Sequence, residues 1–233
     1  METTKLLLVE DDESIGYIVK NSLELFVGGY EVDVATNGQE GLERLKSFTP
    51  DVIVSDIEMP VMNGIEMVKT IRQTDTDIPI VFATSRNTSK DVTVGYEVGV
   101  DNYIKKPYTP EELDAHIKTL INLKNNSKSR IKNAVYKIGK YTFEPKNFAL
   151  YVDASDKKTI TARESQILEL LLQHKGEIVK REEILDTYWN KQDTVFASRS
   201  LDVFITKLRK YLSNDPAISI KNVKQVGLVL EFD

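Results

Sequence analysis

The sequence predicts two domains of different fold class, an α/β domain followed by an α+β domain, in a chain of 233 residues. In the first half, short apolar runs alternate with segments of helical apolar spacing, which is typical of a parallel sheet covered by helices. The second half begins with alternating apolar and polar residues, which is typical of short antiparallel strands. Between the halves, residues 125–132 are polar and basic, as expected of a linker.

The formal net charge of −5 hides a strong asymmetry between the halves. Residues 1–124 contain 12 Lys and Arg against 22 Asp and Glu, a net charge of −10, whereas residues 125–233 contain 19 against 14, a net charge of +5. Such an asymmetry suggests a different partner for each half. We therefore predict domains at 1–124 and 133–233, joined by the linker 125–132.

Composition excludes several classes of function. The chain has no Cys, so disulfides, thiol catalysis and thiolate metal sites are excluded, and two His leave no histidine cluster for zinc. No apolar run approaches the ~20 residues that a membrane span needs. Acidic residues directly follow the first apolar run, so we expect no secretion signal, no membrane partner and a cytoplasmic protein.

The first half contains five predicted strands and the helical segments that follow them. The strands are expected at residues 6–9, 30–35, 52–54, 80–83 and 103–104. The last helix has a clear start, because Thr109, Pro110 and Glu112 form a capping box with proline at the first helical position. Asp12 and Glu13 are expected to be solvated or to cap the first helix.

Polar side chains follow four of these strands. Glu10 and Asp11 follow the first, Asp56 the third, Thr84 the fourth and Lys106 the fifth. In open α/β sheets, ligands bind outside the carboxyl ends of the strands, so these groups are expected to converge. Crowded carboxylates require a cation, and oxygen ligands suit Mg²⁺. An Asp can carry a phosphoryl group while a metal and a Lys neutralise its oxygens, which predicts a phosphoryl site.

These segments resemble the receiver domain of two-component systems, over residues 5–123. The segments that carry the resemblance are 8–12, 51–64, 83–85 and 103–108. The resemblance implies a flavodoxin-like (βα)₅ fold in which Asp56 is the phosphoacceptor. It further implies a Mg²⁺ site made by Glu10, Asp11, Asp56 and the backbone carbonyl of Glu58.

The same resemblance implies roles for the residues around the acceptor. Thr84 and Lys106 would bind phosphoryl oxygens, and the small Ser85 would leave phosphodonors access to the acceptor. Tyr103 would be an aromatic switch that turns inward as Thr84 moves. Pro107 would follow a cis peptide bond that aims Lys106.

In the second half, the third predicted helix, about 197–212, is the most informative element. Its core stripe is expected to contain Leu201, Ile205, Leu208 and Leu212. The opposite face is expected to be basic and polar, with Arg199, Val203, Thr206, Lys207 and Lys210. A DNA major groove suits such a face, which offers cations for phosphates and donors for base edges, although a solvated basic face remains the alternative.

This half resembles a winged-helix effector domain of the OmpR/PhoB type, over residues 135–232. The segments that carry the resemblance are 160–168, 179–185 and 199–210. It implies a four-stranded sheet, three helices and a hairpin wing that contact double-stranded promoter DNA. Lys207 would contact base edges, Arg209 would add to the DNA-binding set, and Lys224 in the wing would reach the minor groove.

Several positions depart from the family pattern. In the helix at 197–212, Phe204 stands where His is common and Thr206 where Arg is frequent. In the first half, Val92 and Val94 replace basic residues, and His116 and Lys118 occupy usual Arg positions. The expected dimer interface therefore comprises Val92, Val94, Asp101, His116 and Lys118, with an exposed Asp101–Lys118 pair that contributes only ~0–1 kcal/mol.

Together these features predict a response regulator that controls transcription and is not an enzyme. A sensor histidine kinase would phosphorylate Asp56, the protein would dimerise, and promoter DNA and RNA polymerase would be its partners. One alternative is a regulator that dimerises and binds DNA independently of phosphorylation. A second alternative is an Asp-nucleophile phosphatase or phosphotransferase acting on small molecules, which generally needs an enclosing lid that the short connections here do not supply.

Overall fold

A computed structural model describes residues 3–85, 89–130, 134–152, 156–189 and 194–232, with side chains described in these ranges except at 89–92, 126–130 and 194–196. The chain divides into two compact units, Met1–Asn122 and Leu123–Asp233. Among the described residues, no helix combines the length and apolarity required to cross a membrane.

The first unit is built on a five-stranded parallel sheet. Its strands are β1 (Thr4–Val9), β2 (Tyr30–Ala35), β3 (Val52–Ser55), β4 (Ile80–Thr84) and β5 (Asn102–Lys105). The strand order β2-β1-β3-β4-β5 is that of a doubly wound flavodoxin-like sheet, as predicted. Its central strands are almost wholly buried, because helices cover both faces.

Five α-helices follow the strands of this sheet. They are α1 (Glu13–Asn21), α2 (Gly38–Arg44), α3 (Gly64–Ile71), α4 (Ser89–Val98) and α5 (Pro110–Arg130). Asp12 caps α1 by accepting hydrogen bonds from the amides of Ser14 and Ile15, which is one of the roles expected of it. The predicted linker 125–132 begins inside α5, which continues to Arg130.

A π-helix, Ser22–Val27, directly continues α1 and was not predicted. The helical spacing of apolar residues in this segment, among them Ile18, Leu23 and Phe26, favours an α-helix with these side chains toward the core. In the structure Leu23 is fully buried, but Ile18 is 61% exposed and Phe26 is 83% exposed. A π-turn has a wider hydrogen-bonding period than an α-turn, so it changes which side chains face the core.

In its described residues, the second unit contains two sheets, three α-helices and a short 3₁₀-helix, Pro145–Asn147. Strands β6 (Tyr136–Ile138), β7 (Tyr141–Glu144), β8 (Ala149–Tyr151) and β9 (Lys157–Thr159) form an antiparallel sheet in sequential order. The helices are α6 (Ala162–Gln173), α7 (Arg181–Tyr188) and α8 (Thr194–Tyr211). Strands β10 (Val179–Lys180), β11 (Ser219–Val223) and β12 (Gly227–Glu231) form the second sheet, in which β11 and β12 make the hairpin wing.

Candidate functional site

The polar groups that follow four strands of the parallel sheet meet at one edge, because the ends of the strands are in register. Val9 pairs with Ser55 between β1 and β3, and Thr84 pairs with Lys105 between β4 and β5. Glu10, Asp11 and Asp56 offer carboxylate oxygens that lie within 4.8 Å of one another. The structure therefore brings together the three acids that the sequence singled out.

Lys106 joins two of these acids. Its Nζ donates hydrogen bonds to Glu10 Oε2 at 2.5 Å and to Asp56 Oδ2 at 2.6 Å. The three side chains are largely buried, with 13% of the Lys106 side chain, 3% of Glu10 and 16% of Asp56 exposed. An ammonium in this position can neutralise charge on a group carried by Asp56. The Lys106–Pro107 peptide bond is cis, which agrees with the expectation from the resemblance.

Burial, hydrogen bonds and neighbouring charges shift the pKa values of Glu10 and Lys106. Burial raises the pKa of Glu10 above its ordinary value, and the hydrogen bond and charge of Lys106 oppose this only in part. Burial acts to lower the pKa of Lys106, but its hydrogen bonds to Asp56 and Glu10 outweigh burial and raise the pKa. Three carboxylates around one ammonium leave a negative excess, which suits a divalent cation.

Backbone amides hold the other oxygen of the acceptor. Asp56 Oδ1 accepts hydrogen bonds from the amide of Ile57 at 2.5 Å and from the amide of Glu58 at 3.3 Å. The carbonyl of Glu58 as a metal ligand stays a prediction. Gly64, at the start of α3, lets the helix approach closely, because a Cβ there would lie 2.2 Å from the carbonyl oxygen of Asp56.

The residues expected to respond to phosphorylation lie on β4 and β5. Thr84 is 5% exposed at the end of β4, and Ser85 directly after it is exposed. Tyr103 is 2% exposed and points inward, with its ring centroid 5.6 Å from that of Phe82 and 4.9 Å from that of Tyr96. The structure thus contains the inward position of the proposed aromatic switch.

Gly95 makes this inward position possible, and the sequence analysis did not identify it. A Cβ built on Gly95 would lie 1.6 Å from the Tyr103 hydroxyl oxygen and 2.8 Å from Cζ. Any side chain at position 95 would therefore collide with the inward ring. A glycine inside a predicted helix is the signal that could have drawn attention to it.

Two charged members of the predicted dimer interface, Asp101 and Lys118, each have a partner within the chain. Asp101 is 4% exposed and pairs with Arg72 Nη2 at 3.1 Å, while Lys118 pairs with Asp114 on its own helix at 2.8 Å. Asp101 also accepts a hydrogen bond from the amide of Ile80 at 2.9 Å, so packing within the monomer fixes its side chain. The expectation that Asp101 is exposed is therefore wrong, whereas its pairing with Lys118 across a dimer stays a prediction.

The other members of the predicted interface differ in their solvent exposure. His116 is 4% exposed, and its Nδ1 lies 2.9 Å from the side-chain nitrogen Nδ2 of Asn102. Val94 is 39% exposed on α4, so it remains accessible. Val92 lies outside the described side chains.

In the second unit, α8 buries the predicted core stripe, and Phe204 with it. Arg199, Thr206 and Lys210 are exposed on the opposite face, and Val203 is half-buried beside them. The burial of Phe204 follows from its position in the core, where its ring lies 6.0 Å from that of Trp189.

Two of the predicted DNA-binding residues are engaged within the protein. Lys207 Nζ pairs with Glu164 at the start of α6, and only 17% of the Lys207 side chain is exposed. Arg209 donates from Nε to the carbonyl of Ile220 in the wing at 2.9 Å and from Nη2 to Asn222 Oδ1 at 3.2 Å. The expectation that Lys207 lies on the outward face is wrong for this structure, because position 207 falls at the flank of the helix.

A groove of about 860 Å³ lies between α7, α8 and the wing. It is lined by residues that include Lys180, Arg181 and Lys224. Arg181 Nη1 pairs with Asp202 at 2.8 Å, so one cation of the groove is partly neutralised. Lys224 is exposed in the wing turn, as expected of a residue that reaches toward a ligand.

Comparisons with known families divide the chain in the same way. Residues 6–118 match the family described as "Response regulator receiver domain", and residues 155–230 match "Transcriptional regulatory protein, C terminal". The chain is 36% identical to the transcriptional regulatory protein RprY of Bacteroides fragilis, over 98% of this chain and 95% of RprY. It is 32% identical to the alkaline phosphatase synthesis transcriptional regulatory protein PhoP of Bacillus subtilis, over 97% and 96% of the two chains.

Solved structures support the fold. A mutant of RitR matches with a TM-score of 0.72 and 22% identity, over 99% of this chain and all of that one, which shows the fold alone. A CheY-like receiver domain from Methanospirillum hungatei matches with a TM-score of 0.51 and 26% identity, over 54% of this chain and 98% of that one. The predicted fold class is therefore confirmed.

Both relatives are transcriptional regulators matched along nearly their whole length, and a receiver domain precedes the DNA-binding domain in this chain. The chain therefore belongs to the OmpR/PhoB family of two-component response regulators.

Proposed function

We propose that Asp56 accepts a phosphoryl group from a sensor histidine kinase and that this event controls binding to promoter DNA. The observation that carries the proposal is the Lys106 ammonium, which contacts both Asp56 at 2.6 Å and Glu10 at 2.5 Å at the rim of the sheet. An acceptor carboxylate beside a fixed cation is the arrangement that phosphoryl transfer requires, because most of the catalysis is positioning and charge neutralisation.

The transfer forms one bond and breaks another. The bond between phosphorus and the kinase histidine nitrogen breaks, and a bond between phosphorus and a carboxylate oxygen of Asp56 forms. The amides of Ile57 and Glu58 hold Oδ1 of the acceptor in place. Lys106 is then available to pair with an oxygen of the transferred group.

Glu10, Asp11 and Asp56 fit a Mg²⁺ ion, because all three offer carboxylate oxygens within 4.8 Å of one another. When bound, the ion supplies charge neutralisation for the phosphoryl oxygens. The Lys106 ammonium neutralises part of the same cluster in its absence.

Phosphorylation is proposed to act through Thr84 and Tyr103. The phosphoryl group adds negative charge and three acceptor oxygens, and the Thr84 hydroxyl would donate to one of them. Movement of Thr84 would favour the inward Tyr103, which changes the surface formed by β4, α4 and β5. We propose that this surface mediates a homodimer, which places two DNA-binding domains on neighbouring half-sites about one helical turn apart.

Labelling with a small phosphodonor tests the acceptor. The wild-type protein, incubated with Mg²⁺ and phosphoramidate, should gain the mass of one phosphoryl group, and chelation of the metal should suppress the gain. Asp56→Asn should gain none. Asp12→Asn is the matched control, because Asp12 caps α1 beside the site and Asn is an equally good cap. Full labelling of Asp56→Asn would refute the assignment.

DNA binding is proposed to use the exposed cations of α8 and the wing. Arg199, Lys210 and Lys224 are exposed, whereas the receiver unit contributes an excess of acids. Lys210→Met should weaken binding to all sequences and lower the salt slope by about one. An unchanged salt slope would contradict a phosphate contact at Lys210.

Measurement of the oligomeric state in solution distinguishes a regulator that dimerises on phosphorylation from one that dimerises independently of it. A controlled regulator should change from monomer to dimer when phosphodonor and Mg²⁺ are added, and Asp56→Asn should stay monomeric. A dimer that is equally populated without phosphodonor would instead support constitutive dimerisation. Contact with RNA polymerase at promoters, and location in the cytoplasm, belong to the same proposal.

A further inference from the structure

Lys207 lies at the flank of α8, between its core stripe and its exposed face. It follows Phe204 by three residues and precedes Tyr211 by four, and side chains at these spacings are neighbours on a helix. Phe204 is fully buried, and Tyr211 packs near α6, where its hydroxyl lies 3.4 Å from Glu164. The Lys207 side chain is therefore directed along the protein surface toward α6.

The partner of Lys207 is a buried carboxylate. Glu164 is 1% exposed, and its Oε1 contacts both Lys207 Nζ and the Tyr211 hydroxyl. Its other oxygen, Oε2, accepts the Thr161 amide at 2.9 Å and so closes the capping box of α6. One carboxylate thus connects the start of α6 to the side of α8.

Withdrawal of the Lys207 ammonium toward a DNA base would be costly. It would leave Glu164 buried and without its cation, which is strongly unfavourable in a low-dielectric interior. The outward face of α8 does not carry this cost. Arg199 and Thr206 are exposed there, and neither is held by a buried acid in an interaction that the structure describes.

This inference deepens the DNA-binding part of the proposed function and rests on it. We propose that Lys207 is a positioning residue that fixes α8 against α6 through Glu164, and that base recognition is carried by the outward face around Arg199 and Thr206. Lys207 then sets where the recognition helix lies, while it makes no contribution of its own to the choice of base.

Selection of bound DNA by the full-length wild-type protein, phosphorylated with phosphoramidate, supplies a preferred site. Dissociation constants are then measured on this site and on its single-base-pair variants at one salt concentration. The variants are Lys207→Met, the double variant Glu164→Gln/Lys207→Met, and Arg199→Met as the matched loss of one α8 cation. Trp189 is the single Trp of the chain, so its fluorescence during thermal unfolding reports the second unit.

The expected pattern separates positioning from recognition. Lys207→Met should lower the Trp189 unfolding temperature and weaken binding to every site by the same factor, within about twofold. The double variant should regain most of both losses, because Gln can still cap α6 and no buried charge remains unpaired. Arg199→Met should lose about fivefold or more of the discrimination at one base pair.

Two results would overturn this assignment alone. One is a change of base preference in Lys207→Met with an unchanged Trp189 transition. The other is a double variant that binds no better than Lys207→Met. If the wild-type protein selects no sequence, the proposed DNA-binding function fails as well, so the two failures are distinguishable.

Discussion

Gly95 is the position at which a single methyl group should reverse the inward packing of Tyr103. An alanine Cβ there would lie 1.6 Å from the Tyr103 hydroxyl oxygen, and ordinary contact begins near 3.4 Å. The hydroxyl must therefore retreat by about 1.8 Å, which Tyr103 cannot do while Phe82 and Tyr96 enclose its ring. We expect Gly95→Ala to drive the tyrosine outward.

The size of the destabilisation follows from the burial and the aromatic contacts that the Tyr103 ring loses. Exposing a buried aromatic side chain costs about 1.5–3 kcal/mol, and loss of its aromatic partners adds about 0.5–1.5 kcal/mol. Replacing glycine by alanine inside a helix returns about 1 kcal/mol. Gly95→Ala should therefore lower the unfolding free energy of the first unit by about 1–3.5 kcal/mol.

The assay compares the effect of Gly95→Ala on the free energy of unfolding in two backgrounds, where the effect should have opposite signs. The free energy of unfolding of the first unit is measured in urea by far-UV circular dichroism, with the second unit followed separately through Trp189. Gly95→Ala should destabilise the wild-type protein but stabilise Tyr103→Leu by up to about 1 kcal/mol. Leucine removes the collision with the hydroxyl and leaves space into which Phe82, whose Cδ2 would lie 3.1 Å from the new Cβ, can shift. In ¹⁹F spectra of fluorotyrosine-labelled protein, the chemical shift of Tyr103 should move toward the value of a solvent-exposed fluorotyrosine. Equal effects in both backgrounds would refute the collision.

Three further substitutions test other parts of the structure. Arg72→Met leaves Asp101 buried without its cation and should cost about 3–5 kcal/mol of the first unit's unfolding free energy, and a loss below about 1 kcal/mol would contradict the pair. Thr161→Ala removes the N-cap of α6 and should cost about 1 kcal/mol in the transition that Trp189 reports, with the first unit unchanged. Val61 has a φ of 66°, which suits Asn better than a β-branched residue, so Val61→Asn should raise the urea midpoint of the first unit.

The receiver half shows how much of a site local sequence can predict. Parallel strands place their carboxyl ends on one edge of a sheet, so the sequence predicted that Glu10, Asp56 and Lys106 converge. In the structure, the Lys106 ammonium donates a hydrogen bond to each of the two carboxylates. The capping box at Thr109 and Glu112 was also predicted correctly, because both partners lie within one helical turn.

The sequence could not predict which partner each charged side chain would choose. Within the chain, Asp101 pairs with Arg72, 29 residues away, and Lys207 pairs with Glu164, 43 residues away, rather than facing outward. Helical periodicity gives the direction of a side chain to within its face, but a residue at the flank of a helix can turn either way. Its final direction depends on which buried acid the neighbouring element supplies.

The sequence was enough to predict the two domains, their charges, the strands beside the acidic site and the residue types that meet there. These follow from periodicity and from the ends of strands, which are local properties of the chain. The tertiary structure alone decided that Tyr103 points inward over Gly95, that Asp101 is an internal ion pair and that Lys207 is held by Glu164. Each of these depends on contacts between distant elements, where packing and the cost of an unpaired buried charge select one arrangement.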